Sequence, residues 1–186
     1  MAKTRKFCAY RRPDGRANTR ISKYRKKAFV KTTPNITIVR FDMGNPTREF
    51  SYILELKSKI ACNIRHNAFE AARQSSNRHL ENNLGKRSYF MRIKPYPHHI
   101  LRENPLAAGA GADRMSTGMK HSFGNPIGSA ARIKKGQTLM ELKVNKSNLQ
   151  IAREATKRFQ HKMPCGCQIV INATPKEIQK KVEKAI

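Results

Sequence analysis

The chain has 186 residues, about the length of one domain, and 38% of them are hydrophobic, enough for one modest core. It carries 39 Lys and Arg residues against 12 Asp and Glu, for a formal net charge of +27 at pH 7. This imbalance excludes an ordinary mixed-charge surface and favours a nucleic acid or an anionic membrane as partner, because a polyanion neutralises the self-repulsion. No apolar stretch is long enough to span a bilayer, and the N-terminus lacks the apolar core of a secretory signal, so we expect the chain to stay in the cytoplasm.

Residues 1–35 form the most basic segment, with Asp14 as the only acid and aromatic residues such as Tyr10 and Tyr24 between the cations. Their apolar content is too low for an independent core, so we expect an extended arm, disordered when free and ordered on RNA. Its candidate phosphate contacts are Arg5, Lys6, Arg11, Arg12, Arg16, Arg20, Lys23, Arg25, Lys26 and Lys27.

From residue 36 onward the pattern becomes globular. Residues 36–41 predict a short β-branched strand followed by a turn at 42–46, and alternation over 50–56 predicts a second strand. A helical stripe predicts a helix over 65–82, and alternation returns in a strand over 89–93. Four small side chains predict that this helix lies close on a sheet: Ala71, Ala72, Ser75 and Ser76.

Residues 104–126 are rich in glycine and have no clear periodicity, which is typical of a functional loop. Strands are predicted next over 130–133 and 140–144, and Ser147 and Gln150 have the spacing of a capping box that opens a second helix. The chain ends with a predicted strand over 168–171 and a short basic helix over 174–186.

The order β-β-α-β, loop, β-β-α-β, helix predicts an α+β domain over residues 36–173 with both helices packed on sheet. The basic arm over 1–35 precedes this domain, and the basic helix over 174–186 follows it.

Two motifs could carry other chemistry. The glycines of residues 109–114 resemble a phosphate-binding loop, but further glycines and Pro126 follow, so no helix N-terminus is available to hold a nucleotide. Cys165-Gly-Cys167 could begin a zinc site, but Cys8 and Cys62 lie far away in the sequence, so free thiols at a strand start are favoured. We therefore expect no metal and no cofactor.

No catalytic pair emerges from the remaining polar residues. The acids are isolated, and no third group orients a Cys-His pair, so we expect no enzymatic activity. The histidines lie among basic residues and are expected either to contact RNA phosphate or to make structural hydrogen bonds. Outside the arm, the candidate rRNA contacts are Arg65, His66, Arg73, His98, His99, Arg132, Lys134 and Lys135.

Five segments are long and specific enough to indicate a family: residues 64–73 (IRHNAFEAAR), 97–104 (PHHILREN), 109–114 (GAGADR), 118–124 (GMKHSFG) and 130–136 (AARIKKG). They resemble large-subunit ribosomal protein L-sixteen, called L-ten-e in archaea and eukaryotes, in its archaeal form. The resemblance covers essentially the whole chain, including the arm.

This resemblance implies an α/β-hammerhead type of fold and a cytoplasmic ribosomal component without catalytic activity. It also implies a position on large-subunit rRNA beside the A-site finger and the peptidyl transferase centre, in contact with neighbouring ribosomal proteins. The central loop would approach the acceptor ends of tRNA, with Arg114, Lys120 and His121 as its polar contacts. The alternative hypothesis is a free nucleic-acid-binding or metal-dependent enzyme, which would show bound zinc or turnover.

Overall fold

The computed structural model describes residues 5–13, 15–19, 24, 26, 30, 32–104 and 124–174. Within these ranges the chain is an α+β protein, with helices α1 (His66–Leu84) and α2 (Leu149–His161). Its strands are β1 (Asp42–Gly44), β2 (Tyr52–Ser58), β3 (Cys62–Arg65), β4 (Phe90–Ile93), β5 (His99–Glu103), β6 (Asn125–Ile133), β7 (Thr138–Val144) and β8 (Cys167–Ala173).

The larger sheet has five antiparallel strands in the order β1-β4-β7-β2-β8. Strand β2 lies between β7 and β8, with Leu54 opposite Leu142 on one side and Ile171 on the other. Leu54 and Leu142 are fully buried, as the alternation of apolar residues along both strands predicts. This sheet therefore supplies a large share of the core.

The smaller sheet has three antiparallel strands in the order β3-β6-β5. The sequence did not predict β3 or β5, which are only four and five residues long. Neither strand alternates, because β3 buries Cys62, Asn63 and Ile64 in succession and β5 buries Ile100 and Leu101 in succession. Strand β6 also begins at Asn125, earlier than the predicted residue 130.

The two helices pack against each other, and this corrects one prediction. Ser76 is fully buried and its hydroxyl donates to the carbonyl oxygen of Ala155 in α2 at 3.0 Å. Ser76 thus lies close to the other helix, while α1 contacts the smaller sheet and α2 the larger one. Ser147 does not cap α2, because residues 146–148 form a 3-10 turn and no side chain bonds to the helix start.

The predicted strand at residues 36–41 is wrong, and the predicted turn after it contains β1 instead. The backbone N–H of Thr37 donates to Nδ1 of His66 at 3.1 Å, and that of Val39 donates to the carboxylate of Glu70 at 3.3 Å. Side chains of α1 therefore take the backbone donors that a strand would need. Strand β1 pairs with β4 and places Asp42 opposite Arg92, whose guanidinium binds it at 2.6 Å.

The central loop lies outside the described residues from 105 to 123, as does the predicted C-terminal helix from 175 to 186. The division into arm, domain and terminal helix therefore stays a prediction. Within the part of the chain that the structure describes, neither helix is long and apolar enough to cross a membrane.

Gly44 of β1 has backbone atoms of Tyr89 as close neighbours. Its φ is +87°, and a Cβ atom there would lie 2.1 Å from the carbonyl oxygen of Tyr89. We expect Gly44→Ala to lower the free energy of unfolding by more than about 2 kcal/mol, since backbone strain and a clash with backbone add. The matched control is Gly136→Ala, whose φ is +78° but whose added Cβ would meet no atom within 4 Å, with an expected loss of about 1 kcal/mol. Equal losses in urea unfolding would contradict this account.

Candidate nucleic-acid interface

The N-terminal arm runs across the smaller sheet, and Asn63 of β3 holds it there. The backbone N–H of Asn63 donates to the carbonyl oxygen of Arg11 at 3.0 Å. Its side-chain amide donates to the carbonyl oxygens of Tyr10 at 3.0 Å and Arg12 at 2.8 Å. Since the bonds are made by the backbone of the arm, the side chains of Arg11 and Arg12 remain exposed.

Arg132 of β6 holds the next part of the arm. Its guanidinium donates to the carbonyl oxygen of Gly15 at 2.8 Å and to that of Pro13. A half-buried guanidinium on two carbonyl oxygens satisfies groups that would otherwise be desolvated without partners. Arg132 was predicted from sequence as an RNA contact, and the structure places it between the sheet and the arm.

Asn18 extends the attachment to the edge strand β5. Its backbone N–H donates to Nδ1 of His99 at 2.9 Å, and its carbonyl oxygen accepts from the N–H of Ile100 at 2.8 Å. Burial and the nearby Arg132 lower the pKa of His99 to about 4. The imidazole is therefore neutral at pH 7, with Nδ1 as a hydrogen-bond acceptor.

Glu103, at the end of β5, binds the start of the arm. Its carboxylate lies 2.5 Å from the guanidinium of Arg5 and accepts from the hydroxyl of Tyr10 at 3.2 Å. Burial, together with the neighbouring carboxylate, raises the pKa of Tyr10. Arg65 also donates to the carbonyl oxygen of Arg5, at 3.1 Å. Several independent contacts thus fix the described part of the arm.

His66 and Glu70 of α1 hold the segment that leads into β1. Nδ1 of His66 also lies 2.8 Å from the hydroxyl of Thr37, and burial lowers the pKa of this histidine. Glu70 binds Arg73 through both oxygens, at 2.7 and 2.9 Å. These bonds from Arg73 lower the pKa of Glu70 to about 2. His66 and Arg73 are thus engaged inside the protein.

The sequence-predicted contacts fall into three groups. Arg65, His66, Arg73, His99 and Arg132 are half-buried or buried and bond within the chain, and Arg5 is exposed but bonded to Glu103. Arg20, Lys23, Arg25 and Lys27 of the arm and Arg114, Lys120 and His121 of the loop lie outside the described residues. The candidates with exposed side chains are Lys6, Arg11, Arg12, Arg16, Lys26, His98, Lys134 and Lys135.

Helix α2 adds a second basic surface, outside the smaller sheet. Its outer face follows from the spacing of its charged residues, since the opposite face buries Ala152, Ala155 and Phe159 in the core. The exposed cations of this face are Arg153, Lys157, Arg158 and Lys162.

Three of the four cysteines form a buried thiol cluster. The sulfur atoms of Cys165 and Cys167 are 3.8 Å apart, and the hydroxyl of Ser58 lies 3.6 Å from Cys165. Hydrogen bonds from Cys167, Cys62 and Ser58 lower the pKa of Cys165. None of the three thiols forms a disulfide bond. Among the described residues, no group of three or more His, Cys, Asp or Glu side chains is arranged to hold a metal ion.

Comparison with known proteins gives a consistent result. The family model for ribosomal protein L16p/L10e matches residues 18–170. Large ribosomal subunit protein uL16 of Methanococcus maripaludis is 44% identical over 80% of this chain and 86% of its own length. Proteins of the same description from Staphylothermus marinus and Thermofilum pendens are 44% and 43% identical, over 79% and 80% of this chain and 84% and 88% of their own lengths.

Protonation of His99 is expected to loosen the arm. Because its pKa in the folded protein, about 4, lies below the ordinary 6.5, the unfolded chain takes up the proton first as the pH falls. Stability from this group is present above pH 6.5 and is lost between pH 6.5 and 4. We expect His99→Asn, which keeps an acceptor near the Nδ1 position, to reduce the drop in unfolding free energy between pH 7 and 5.5 by roughly 1 kcal/mol. If urea unfolding shows the same drop in unfolding free energy for His99→Asn as for the unmodified protein, His99 is not neutral in the folded state.

Proposed function

Because the chain belongs to the ribosomal protein L16p/L10e family, we propose that its arm and smaller sheet bind large-subunit rRNA and that its central loop faces tRNA. The protein is a structural component of the large subunit in cytoplasmic ribosomes and is not an enzyme. Its partners are rRNA and neighbouring proteins of that subunit. The rRNA region that we propose lies beside the A-site finger and the peptidyl transferase centre.

The backbone attachment of the arm is the observation that carries this proposal. Asn63 and Arg132 bind carbonyl oxygens of the arm, which leaves the side chains of Arg11, Arg12 and Arg16 exposed. The exposed cations are thereby held at fixed positions above a rigid sheet. Phosphate contacts from such an array supply affinity and fix orientation without reading sequence.

The predicted contacts divide into direct and positioning roles. Direct phosphate contact is assigned to the exposed cations of the arm and to Lys134 and Lys135 in the turn before β7. Arg65, His99 and Arg132 position the arm from beneath. His66 and Arg73 act in the same way on residues 37–43.

The base of the central loop lies on the same sheet as the arm. Glu103 at the end of β5 pairs with Asn125 at the start of β6, so both ends of the loop leave the sheet together. Glu103 also binds Arg5 and Tyr10 of the arm. Fixing the arm on rRNA would therefore fix the base from which Arg114, Lys120 and His121 reach tRNA, a contribution by positioning rather than chemistry.

We further propose that the α+β fold is of the α/β-hammerhead type. The element order is β1-β2-β3-α1-β4-β5 in the first half and β6-β7-α2-β8 in the second, so the β-β-α-β order is found in the second half and is extended by β3 and β5 in the first. The three-stranded sheet beside the five-stranded one is consistent with a hammerhead.

Two lysines in the turn before β7 offer a test of direct phosphate contact. We expect the double variant Lys134→Gln, Lys135→Gln to reduce the slope of log K against log salt by about 1.4–1.8, since each phosphate contact contributes about 0.7–0.9. The measurement is a salt titration of binding to large-subunit rRNA.

The matched control removes two lysines that have acidic partners on the larger sheet. Lys57 binds Glu55 at 2.9 Å, and Lys143 binds Glu141 at 3.3 Å. Lys57→Gln with Lys143→Gln lowers the net charge equally and should leave the slope unchanged. Equal slopes for both double variants would show that only the total charge matters and would overturn the assignment of Lys134 and Lys135.

Deletion of residues 108–123 tests the role of the loop. Five residues then remain between Glu103 and Asn125, a length that ordinary hairpin loops use. We expect the variant to cosediment with the large subunit at moderate salt but to slow tRNA accommodation. Loss of cosedimentation with normal accommodation in any subunits formed would show that the loop is the rRNA anchor instead.

A further inference from the structure

Three aromatic side chains, Phe41, Tyr96 and His98, pack in a cluster that we call the aromatic platform. The ring centroids of Phe41 and Tyr96 are 5.3 Å apart with an angle of 24° between the planes. The centroids of Tyr96 and His98 are 4.5 Å apart with an angle of 44°. The platform lies where the chain passes from β4 of the larger sheet to β5 of the smaller one.

The backbone holds these rings in place. The carbonyl oxygen of Phe41 accepts from the N–H of Ile93 at 2.9 Å, which ties it to β4. The N–H of His98 donates to the carbonyl oxygen of Tyr96 at 2.9 Å across Pro97. Pro95 and Pro97 are both buried on either side of Tyr96 and fix the φ angles there. The platform is therefore ordered before any ligand arrives.

Tyr96 is nevertheless open to solvent. Its side chain is 47% exposed, and His98 is also exposed. An ordered aromatic surface left in contact with water is typical of a recognition site, because its ordering cost is already met before binding.

The charges beside the platform indicate the chemistry of its ligand. Arg92 of β4 forms a salt bridge with Asp42, and Lys94, just after β4, forms one with Glu141. Arg40, next to Phe41 in the chain, is exposed and has no acidic partner among the described residues. With this exposed cation in the same segment as Phe41 and a net charge of +27 over the chain, a partner that combines a flat π surface with negative charge fits better than an apolar protein side chain does.

We propose that the aromatic platform stacks on an unpaired base of large-subunit rRNA, with the exposed rings of Tyr96 and His98 as the contact surface. The inference rests on the proposed function and adds base stacking to the phosphate contacts described above. Unpaired bases stack on aromatic side chains in single-stranded RNA recognition, and each stacked base contributes appreciable affinity without sequence specificity. His98, a sequence-predicted RNA contact, would act here through its ring rather than its charge.

Full-length protein with single substitutions at residue 96 tests the proposal. The probes are large-subunit rRNA of Methanococcus maripaludis and a single-stranded oligoribonucleotide that contains 2-aminopurine, whose fluorescence is quenched on stacking. We expect Tyr96→Phe to bind both like the unmodified protein, and Tyr96→Ala and Tyr96→Leu to bind about five-fold or more weakly at an unchanged salt slope. Quenching should be lost in the Ala and Leu variants only.

The Leu variant and a second position separate stacking from apolar contact. Val39 is 72% exposed and lies two residues from Phe41, so Val39→Ala removes apolar surface without removing a ring. Normal binding by Tyr96→Leu, or an equal loss for Val39→Ala, would overturn stacking in favour of apolar docking. Circular dichroism and unfolding midpoints identify any variant that fails to fold.

Different results would overturn the proposed function and the stacking inference. If the unmodified protein does not bind large-subunit rRNA, the proposed function falls. If it binds and every residue 96 variant binds equally well, only the stacking inference falls.

Discussion

Hydrogen bonds from the smaller sheet to the backbone of the N-terminal arm are the interaction on which the remaining architecture depends. Asn63 and Arg132 bind carbonyl oxygens of residues 10–15, and Asn18 joins the edge of β5. A segment with so much positive charge and so little apolar surface has no core of its own to order it. Because the bonds use the backbone, the cations stay available while their positions become fixed.

The sequence predicted the elements whose residues repeat over many positions. Helix α1, helix α2 and strands β2 and β7 were all expected, because long periodic patterns report which face is buried. Residues 36–41 failed because His66 and Glu70 take their backbone donors, a tertiary contact that local preference does not reveal. Strands β3 and β5 were missed because each buries successive residues and so shows no alternation.

The sequence predicted that the candidate interface is rich in Lys and Arg, but not where each of these side chains lies. The density of Lys and Arg identified a polyanion partner, and the described arm indeed lies along the protein with exposed cations. That Arg132 binds arm carbonyls rather than projecting outward depends on strand pairing between distant segments. The aromatic platform was hidden for the same reason, since Phe41 and Tyr96 are 55 positions apart and meet only after β1 pairs with β4.

Because Glu103 pairs with Asn125, the arrangement of the strands does not depend on the length of the loop that connects these two residues. Once two strands close the base of a connection, each doubling of its length costs only about 0.6 kcal/mol of closure entropy. Insertions and deletions at its tip can thus accumulate between lineages without disturbing the sheet beneath. The loop can therefore change in length while the pairing of β5 and β6 at its base stays the same.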